Sequence, residues 1–416
     1  MLTNVNPATS IQLTRDRARR FLLAHQHLLP PRQLQGKAGI LEFIEHVGCI
    51  QFDPVNIVGR NPDLVLQSRV SDYRSTLLEE LLYQEHVLMD GWDKLASVHL
   101  TCEWPYFARF HHRMSDLHTD RSRPEIALAD ELLRQMHTVG EYDPSLSKSR
   151  ETIVWDWGRP VRLERAALEI LYRNGAVGIS RRIGSRRIYD LIEHLVPPET
   201  LASQDPNQTL EAYHDWHVFR RIGSLGLVQS GSSDFWLGIQ HCKTPQRSAA
   251  IRRLLTKGDL IQLDIAELPG KVFYMRSADL AALEAAKTQD GLEPQAAFLP
   301  PLDNLLWDRK LLSWLFGFDY TWEAYKKPRD RQYGHYTLPV LYGDRFIARF
   351  DPAFDRKRKM LTINNWWWEA GVKPGRAMRA SLGNAMAQFM RYLDAGSIAL
   401  GSGVDASNGL TWVKKL

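Results

Sequence analysis

The N-terminal part of the chain carries apolar residues at the spacing of two α-helices. The first predicted helix begins near Thr14, a suitable N-cap residue, and has its apolar face within residues 18–22. The second covers residues 40–47, where apolar residues recur at i, i+1, i+4 and i+7. Gly48 stands where a left-handed residue commonly ends a helix. We therefore expect two helices followed by a change of direction.

The residues after Gly48 predict an extended segment that presents two polar side chains on one side. Pro54 disfavours the helical conformation at Asp53, so this segment is a strand end or a loop. Alternate side chains of an extended chain project to the same side. Gln51 and Asp53 are therefore expected to lie together, while Phe52 points the other way and anchors the segment in the core.

Two later stretches each predict a helix followed by a two-stranded hairpin. In the first, a helix that begins near Arg162 precedes strands that turn at residues 184–185. The second stretch, residues 208–286, contains two helices before strands at 260–265 and 271–275. A helix with such a hairpin behind it is typical of a winged helix, and arginines on the first hairpin would suit contact with phosphate.

The C-terminal stretch is rich in strands. Residues 331–341 and 345–350 predict a hairpin, and residues 360–368 predict a further strand. A basic turn, residues 356–359, lies between these strands. Residues 376–393 predict a final helix whose apolar face packs on the core.

These patterns predict an α+β fold of tandem winged-helix motifs rather than a doubly wound sheet. Residues 40–70 suggest a third helix-and-hairpin unit. At 416 residues the chain is long enough for two or three cores. We expect four parts: residues 1–130, a helical and winged-helix region with the Gln51 and Asp53 segment; residues 131–205 and 206–290, each a winged helix; and residues 291–416, a strand-rich region.

Composition narrows the class of protein without identifying it. The net charge of +5 and a pI near 9.0 are compatible with a polyanionic partner, but also with enzymes of small metabolites. The three cysteines lie far apart and form no C-x-x-C pair, which argues against a disulfide framework, an iron–sulfur cluster or a zinc ribbon. No stretch approaches the ~20 apolar residues that cross a bilayer. We expect a cytoplasmic protein with no metal, cofactor or membrane contact.

The familiar motifs of nucleotide and hydrolase sites do not occur in the sequence. We find no P-loop, no G-x-G-x-x-G after a strand, no H-E-x-x-H and no G-x-S-x-G. The segment that remains is the one around Gln51 and Asp53. From the residue types alone, a loop in which these side chains cap neighbouring backbone amides is the more frequent arrangement.

Three stretches of sequence favour a functional role for Gln51 and Asp53 over a capped loop. Residues 51–70 begin Gln-Phe-Asp-Pro-Val-Asn, residues 299–309 read Leu-Pro-Pro-Leu-Asp-Asn-Leu-Leu-Trp-Asp-Arg, and residues 331–334 read Arg-Gln-Tyr-Gly. In this order and at these separations they closely resemble the YcaQ/AlkZ family of helix-turn-helix (winged-helix) DNA glycosylases. In that family a Gln-apolar-Gln or Gln-apolar-Asp triplet is the catalytic motif. Gln51-Phe52-Asp53 matches the second form, that of the YcaQ (AlkX) branch.

The resemblance implies a monofunctional DNA glycosylase of base-excision repair, C-shaped around a basic cleft. Its substrates would be N7-alkylated purines in double-stranded DNA, including bulky adducts and interstrand crosslinks. An N7-alkylguanine already carries positive charge, so the enzyme need only stabilise the oxocarbenium-like sugar and present water. Asp53 would supply the opposing charge and accept a proton, and Gln51 would hold the water.

Further residues are expected to support the site or to bind DNA. For support the resemblance and the sequence suggest Asn56, Trp92, Trp307, Asp308 and Arg309, although Asp308 and Arg309 could equally form a structural ion pair. Each basic cluster could equally be a solvated face. The residues expected to bind DNA are Arg60, Arg69, Arg181, Arg182, Arg186, Arg187, Lys326, Lys327, Arg331, Arg356, Lys357, Arg358 and Lys359.

One departure from the family pattern concerns the residues after Trp92. The YcaQ branch has a His-Glu dyad shortly after this tryptophan, whereas the present chain reads Asp93-Lys94. The polar support of the site is therefore altered, which leaves the range of lesions open. Two alternatives also stay open: a non-catalytic winged-helix DNA-binding protein or regulator, and an enzyme of a small metabolite. We expect a monomer associated with the nucleoid.

Overall fold

The computed structural model describes residues 10–155, 158–286, 293–404, 409–410 and 413. The chain forms two compact units: Met1–Leu78 together with His214–Leu416, and Glu79–Tyr213. We call them the main unit and the inserted unit. Within the described residues, no helix is both long enough and apolar enough to pass through a bilayer.

The first part of the main unit contains the two helices expected from the sequence. Thr14 caps the first helix, because its Oγ1 accepts a hydrogen bond from the Arg17 amide at 3.2 Å. Gly48 ends the second with a φ of 79°. Asn61–Gln67 form a third helix that begins with a proline in its first turn. The elements are β1 (Ile11–Leu13), α1 (Arg15–His25), α2 (Gly36–Val47), β2 (Ile50–Gln51), α3 (Asn61–Gln67) and α4 (Ser75–Tyr83).

The inserted unit contains the first predicted helix and hairpin. The hairpin turns between Ile183 and Arg186, as the sequence indicates, and packs with two helices around a core that includes Leu132, Leu171 and Val177. The elements are β3 (Leu88–Asp93), β4 (Leu95–Leu100), α5 (Ala108–Asp116), α6 (Pro124–Val139), β5 (Thr152–Trp155), β6 (Arg159–Arg162), α7 (Leu163–Arg173), β7 (Val177–Ile183), β8 (Arg186–Leu191), α8 (Ile192–Leu195) and α9 (Pro198–Leu201).

The second predicted set of helices and strands also forms, followed by the strand-rich C-terminal stretch. The elements are α10 (Leu210–Leu225), α11 (Thr244–Lys257), β9 (Leu260–Ile265), β10 (Val272–Arg276), α12 (Leu280–Ala285), β11 (Ala296–Phe298), α13 (Arg309–Phe316), β12 (Leu338–Tyr342), β13 (Arg345–Asp355), β14 (Met360–Trp368), α14 (Arg376–Leu393) and β15 (Ser397–Leu400).

Two sheets organise the main unit. In the smaller sheet, β1 adds in parallel to the β9–β10 hairpin. In the larger sheet, β11 to β14 are antiparallel in chain order and β15 pairs in parallel with β14. The core beneath the larger sheet includes Phe350 and Phe389. Val58 and Leu64, which flank the turn into α3, are buried in the same core and so fix the position of the segment that follows Asp53.

The predicted strand at residues 331–341 is wrong over its first half, because β12 begins only at Leu338. The backbone amides of Gln332 and Tyr333 donate to the carboxylate of Glu323, at 2.9 and 2.7 Å, and not to a neighbouring strand. Residues 331–334 therefore lie in a loop. The four-part division of the chain and the winged-helix topology stay predictions.

Candidate active site

Asp53 lies two residues beyond β2 and is half-buried. Its Oδ1 accepts a hydrogen bond from the Val55 amide at 2.8 Å, which is the local capping that the residue type favours. Its Oδ2 lies 3.5 Å from the hydroxyl of Tyr325, which donates to it. Burial raises the pKa of the Asp53 carboxyl, and the bonds from Val55 and Tyr325 partly offset that rise. In the described part of the chain, no arginine or lysine pairs with Asp53.

Gln51 and Phe52 are both buried. The burial of Phe52 agrees with the anchoring role expected of it, and the placement of the Gln51 and Asp53 side chains on one side stays a prediction. The carbonyl of Gln51 accepts a hydrogen bond from Asn61 Nδ2 at 2.7 Å. The oxygen of the same Asn61 amide accepts one from the Leu302 amide at 3.2 Å. Asn61 therefore joins the Gln51-Phe52-Asp53 segment to the second matching stretch, 241 residues away along the chain.

Two further residues of the second matching stretch, residues 299–309, hold the backbone near Gln51-Phe52-Asp53. Asn304 Nδ2 donates to the carbonyl of Cys49 at 3.0 Å, two residues before Gln51. Trp307 is buried and its Nε1 donates to the carbonyl of Leu302 at 3.0 Å, which holds the residue that Asn61 contacts. Trp307 thus acts on the segment next to the triplet through its backbone.

The sequence left open that Asp308 and Arg309 form a structural ion pair. In the structure, these two residues have other partners. Asp308 caps α13, because its Oδ1 accepts from the amides of Lys310 and Leu311, each at 3.1 Å. Burial raises the pKa of the Asp308 carboxyl. Arg309 donates to the carbonyl of Pro301 at 3.0 Å and its guanidinium lies 4.7 Å from the centre of the Tyr320 ring. Both residues hold the stretch in shape.

The prediction that Arg69 and Arg60 bind DNA is wrong in this structure. Arg69 is fully buried and makes two bonds of 2.8 Å to the carboxylate of Asp303. Arg60 is also buried, and its Nε lies 3.0 Å from Oδ2 of Asp63. A guanidinium enclosed with its counter-ion has no free face for a phosphate. Arg69 also donates to the carbonyls of Gln26 and Val65, and Arg60 pairs with a residue in the first turn of α3.

Asn56 is exposed and lies three residues beyond Asp53. Nη2 of Arg356, in the basic turn between β13 and β14, donates to both the side-chain and the main-chain oxygen of Asn56. The turn is exposed as predicted. The remaining residues of the turn are Lys357, Arg358, which lies 3.8 Å from Asp355, and Lys359, which lies 2.7 Å from Asp394.

Tyr325 is carried by a loop whose backbone is held on both sides of it. Arg331 donates to the carbonyls of Lys326, at 3.1 Å, and of Ala324, at 3.4 Å. Arg331 therefore shapes the loop, in addition to the phosphate contact expected of it. Lys326 pairs with Glu323 at 2.8 Å and stays partly exposed, and Lys327 is exposed.

A comparison with known families decides the identity of the chain. The model of the family described as "DNA glycosylase AlkZ-like" matches residues 44–392. The chain belongs to the AlkZ-like family of DNA glycosylases. Among solved structures, the Streptomyces sahachiroi DNA glycosylase AlkZ is similar, with 12% sequence identity and a TM-score of 0.58, covering 94% of this chain and 99% of that one. At this identity the likeness shows the shared fold.

The arginines of the hairpin in this AlkZ-like glycosylase all pair with acids of the inserted unit. Arg181 and Arg186 are exposed, and they lie 2.7 Å from Glu141 and 3.3 Å from Asp143. The Arg182 side chain is 3% exposed and binds Asp90, and Arg187 binds Glu169 at 3.2 Å. The prediction of phosphate binding by Arg182 is therefore wrong, because its guanidinium is enclosed with its counter-ion.

Trp92 packs inside the inserted unit of the AlkZ-like glycosylase. The guanidinium of Arg173 lies 4.8 Å from the centre of its ring, and the Phe110 ring is stacked at 6.2 Å. Asp93 and Lys94, at the position where the resemblance leads us to expect a His-Glu dyad, are both buried. The support of the active site by Trp92 stays a prediction.

One His-His-Asp group among the described residues of this AlkZ-like glycosylase has the spacing of a metal site. The ligand atoms of His25, His46 and Asp279 lie within 4.8 Å of one another. Both oxygens of Asp279 are bound by Arg276, at 2.9 and 3.0 Å, and the positive charge of this guanidinium opposes a bound cation. The expectation of a metal-free enzyme stays a prediction.

Sequence reasoning missed Asn61, Asn304 and Tyr325. The two asparagines belong to the matching stretches, and their type suits bonds to a backbone carbonyl and amide at once. Tyr325 lies outside those stretches and contacts Asp53 across 272 residues of sequence. Its aromatic neighbour Trp322 and the basic pair after it were the available signal.

Proposed function

We propose that this glycosylase hydrolyses the N-glycosidic bond of N7-alkylated purines in double-stranded DNA, with Asp53 and Gln51 as the catalytic pair. The observation that carries this proposal is the half-buried carboxylate of Asp53, whose partners are the Val55 amide and the Tyr325 hydroxyl. A carboxylate without a protein cation is available for a cationic ligand. In the transition state of base release, the sugar of an N7-alkylpurine nucleotide becomes such a cation.

The chemistry follows from the charge of the substrate. An N7-alkylpurine is already a cation, so its departure needs no general acid, and the bond breaks towards an oxocarbenium-like sugar. Asp53 would stabilise that charge and accept the proton of the attacking water. Gln51, whose amide both donates and accepts, would orient the water. No step requires a cofactor.

Two groups of basic residues of the main unit are linked to residues near Asp53, which supports a phosphate-binding role. Arg356 contacts Asn56, which lies three residues after Asp53, and Lys357 is the next residue of the same turn. Lys326 and Lys327 directly follow Tyr325, which contacts Asp53. Phosphates on both sides of a lesion could therefore be bound next to the carboxylate. Membership of the YcaQ (AlkX) branch, and action on bulky adducts and crosslinks, are parts of the same proposal.

We also propose that the helix-and-hairpin units act as winged helices. Supporting this are α7 with β7 and β8, and α10 and α11 with β9 and β10. In both of these helix-and-hairpin segments a two-stranded ribbon follows a helix directly in sequence, which is the order of a winged helix. The basic pI of 9.0 supports action on nucleoid DNA in the cytoplasm, and we expect the enzyme to act as a monomer.

The test uses duplex DNA with a single N7-methylguanine, followed by alkaline cleavage at abasic sites. Asp53→Asn and Gln51→Ala should bind this duplex as the unchanged protein does. Loss of Asp53 should slow base release about 100-fold or more. Asp16→Asn, at a side chain that is 74% exposed, serves as the matched control and should keep full activity. Equal base release by all variants would contradict the catalytic assignment. DNA binding without any abasic product would favour a non-catalytic DNA-binding protein.

A further inference from the structure

Tyr325 is an unusually exposed aromatic residue for its position. It is 79% exposed although its hydroxyl lies 3.5 Å from a half-buried carboxylate. A tyrosine ring left in water forgoes the stabilisation that burial of its apolar surface would give. Next to the proposed catalytic carboxylate, this exposed ring is available to a partner that arrives with the substrate.

The Tyr325 ring is held in place by a neighbouring aromatic ring and by hydrogen bonds to its loop. Trp322 packs edge to face against it at 5.2 Å between ring centres. Arg331 binds the carbonyls on both sides of Tyr325, and the buried carboxylate of Glu323 binds the next part of the loop. A fixed side chain loses little entropy when a ligand binds, so the site is preorganised.

The contact with Asp53 places Tyr325 beside the nucleotide on which Asp53 would act. Asp53 would reach the anomeric carbon of that nucleotide through the attacking water, so the two lie within about one water molecule of each other. The Tyr325 hydroxyl lies 3.5 Å from Oδ2 of Asp53. The exposed ring of Tyr325 is therefore an aromatic surface next to the bound nucleotide. Aromatic faces stack on any base and attract cations.

We propose, building on the function proposed above, that Tyr325 binds the cationic purine with its ring and positions the carboxylate of Asp53 with its hydroxyl. The ring face makes Tyr325 a determinant of specificity for positively charged bases. The hydroxyl makes it a positioning residue for Asp53. One side chain thereby links recognition of the charged base to the orientation of the carboxylate that acts on the same nucleotide.

Two substitutions separate the two roles. Tyr325→Phe keeps the ring and removes the hydroxyl, so KM should stay near that of the unchanged protein while kcat falls. The pKa of Asp53 should rise further, because one of the two hydrogen bonds that oppose the effect of burial is lost. The acidic limb of the rate profile should therefore move to higher pH. Tyr325→Ala removes both groups, and its affinity for the N7-methylguanine duplex should fall about 5-fold to 150-fold.

Affinity is measured in the Asp53→Asn background, with and without Tyr325→Ala, on duplexes that carry either N7-methylguanine or guanine. The preference for the methylated duplex should disappear with the ring. Leu146→Ala, at a residue that is also 79% exposed, controls for loss of exposed apolar surface and should change nothing. If the unchanged protein releases N7-methylguanine and both Tyr325 variants match it in KM, kcat and pH profile, Tyr325 has neither role although the proposed function stands. If the unchanged protein releases no base, the proposed function itself fails.

Discussion

Two of the most deeply buried aspartates of this glycosylase bind arginine, whereas Asp53 does not. Asp63 binds Arg60, and Asp303 binds Arg69 through both oxygens. Asp53 has a backbone amide and a tyrosine hydroxyl instead. An arginine partner would stabilise the carboxylate but would also neutralise it towards a cationic substrate. The raised pKa of Asp53 is the physical consequence of its burial without a cation.

The rate of base release should therefore depend on pH through Asp53. The proposed mechanism requires the ionised carboxylate, and burial raises the pKa of this carboxyl above its usual value, so activity should increase as the pH rises through the raised pKa. Single-turnover rates from about pH 3 to 8, corrected for spontaneous depurination, would measure the midpoint. A midpoint at or below the usual aspartate value of ~3.9 would contradict the assignment.

The same raised pKa predicts that Asp53 does not stabilise the fold at neutral pH. A carboxyl whose folded pKa lies above its unfolded pKa contributes stability at low pH, and this contribution is lost as the pH rises through the folded value. Asp53→Asn cannot ionise, so its melting temperature at pH 7 should equal or exceed that of the unchanged protein. The difference should shrink towards pH 4. A clear loss of melting temperature at pH 7 would show that the charged form stabilises the fold.

The buried pair of Arg69 and Asp303 should be structural. Removal of one partner leaves an uncompensated charge, so Arg69→Met should destabilise the main unit by about 3–5 kcal/mol in urea denaturation. Arg329→Met is the control, because Arg329 is 78% exposed and lies 3.7 Å from Asp330, and its loss should cost less than about 1 kcal/mol. A stable Arg69→Met with a weaker salt dependence of DNA binding would restore the phosphate role that the sequence suggested.

At the level of elements, the site depends on how the segment between β2 and α3 is held. Asn61, the first residue of α3, fixes the end of β2, and Val58 and Leu64 fix the segment to the core of the larger sheet. Gly59 lies between them with a φ of 130°, and a Cβ at this position would come within 1.8 Å of the Tyr392 hydroxyl. The segment after Asp53 and the Tyr392 side chain of α14 thus approach too closely for any residue but glycine.

Gly59→Ala should therefore destabilise the protein more than a positive φ alone explains. Gly258, the left-handed residue that ends α11, has a φ of 80°, and a Cβ at this position would meet open space, so Gly258→Ala should cost about 1–2 kcal/mol. At Gly59 the φ of 130° lies outside the left-handed helical region and a Cβ would also overlap Tyr392, so we expect Gly59→Ala to cost about 1–3 kcal/mol more. Urea midpoints of both variants measure the difference. Equal costs would show that the segment can move away from Tyr392.

The elements that the sequence predicts best are those whose pattern is local. The bounds of β14 and α14 match the prediction, because period-two and helical patterns are read from neighbouring residues. The loop at residues 331–334 has the local pattern of a strand, and nothing in that pattern shows that Glu323 takes its backbone amides. The contact of Tyr325 with Asp53 likewise depends on the tertiary fold. The triplet itself is identified by resemblance, whereas its residue types alone favour a capped loop.

At the scale of the whole molecule, the net charge is +5. Some of the basic residues are paired with acids, whereas others are exposed to solvent. The hairpin arginines of the inserted unit, Arg182 and Arg187 among them, are bound to acids. In the main unit, Lys327 and Lys357 are exposed and close in sequence to residues that contact the active site. Cations that are not already neutralised release the most counter-ions when they bind a phosphate. Lys327 and Lys357 should therefore contribute more to the electrostatic part of DNA binding than the paired hairpin arginines do.

The salt dependence of binding distinguishes these groups of cations. For a cation that contacts a phosphate of duplex DNA, the slope of log K against log salt should decrease in magnitude by about 0.9 upon its removal. We expect this for Lys327→Ala and Lys357→Ala, measured from about 50 to 200 mM salt on an undamaged duplex. Arg182→Ala should leave the slope unchanged and instead destabilise the inserted unit, because it leaves Asp90 buried without its partner. A reduced slope for Arg182→Ala alone, with unchanged slopes for both lysine variants, would place the DNA on the hairpin and not beside Asp53.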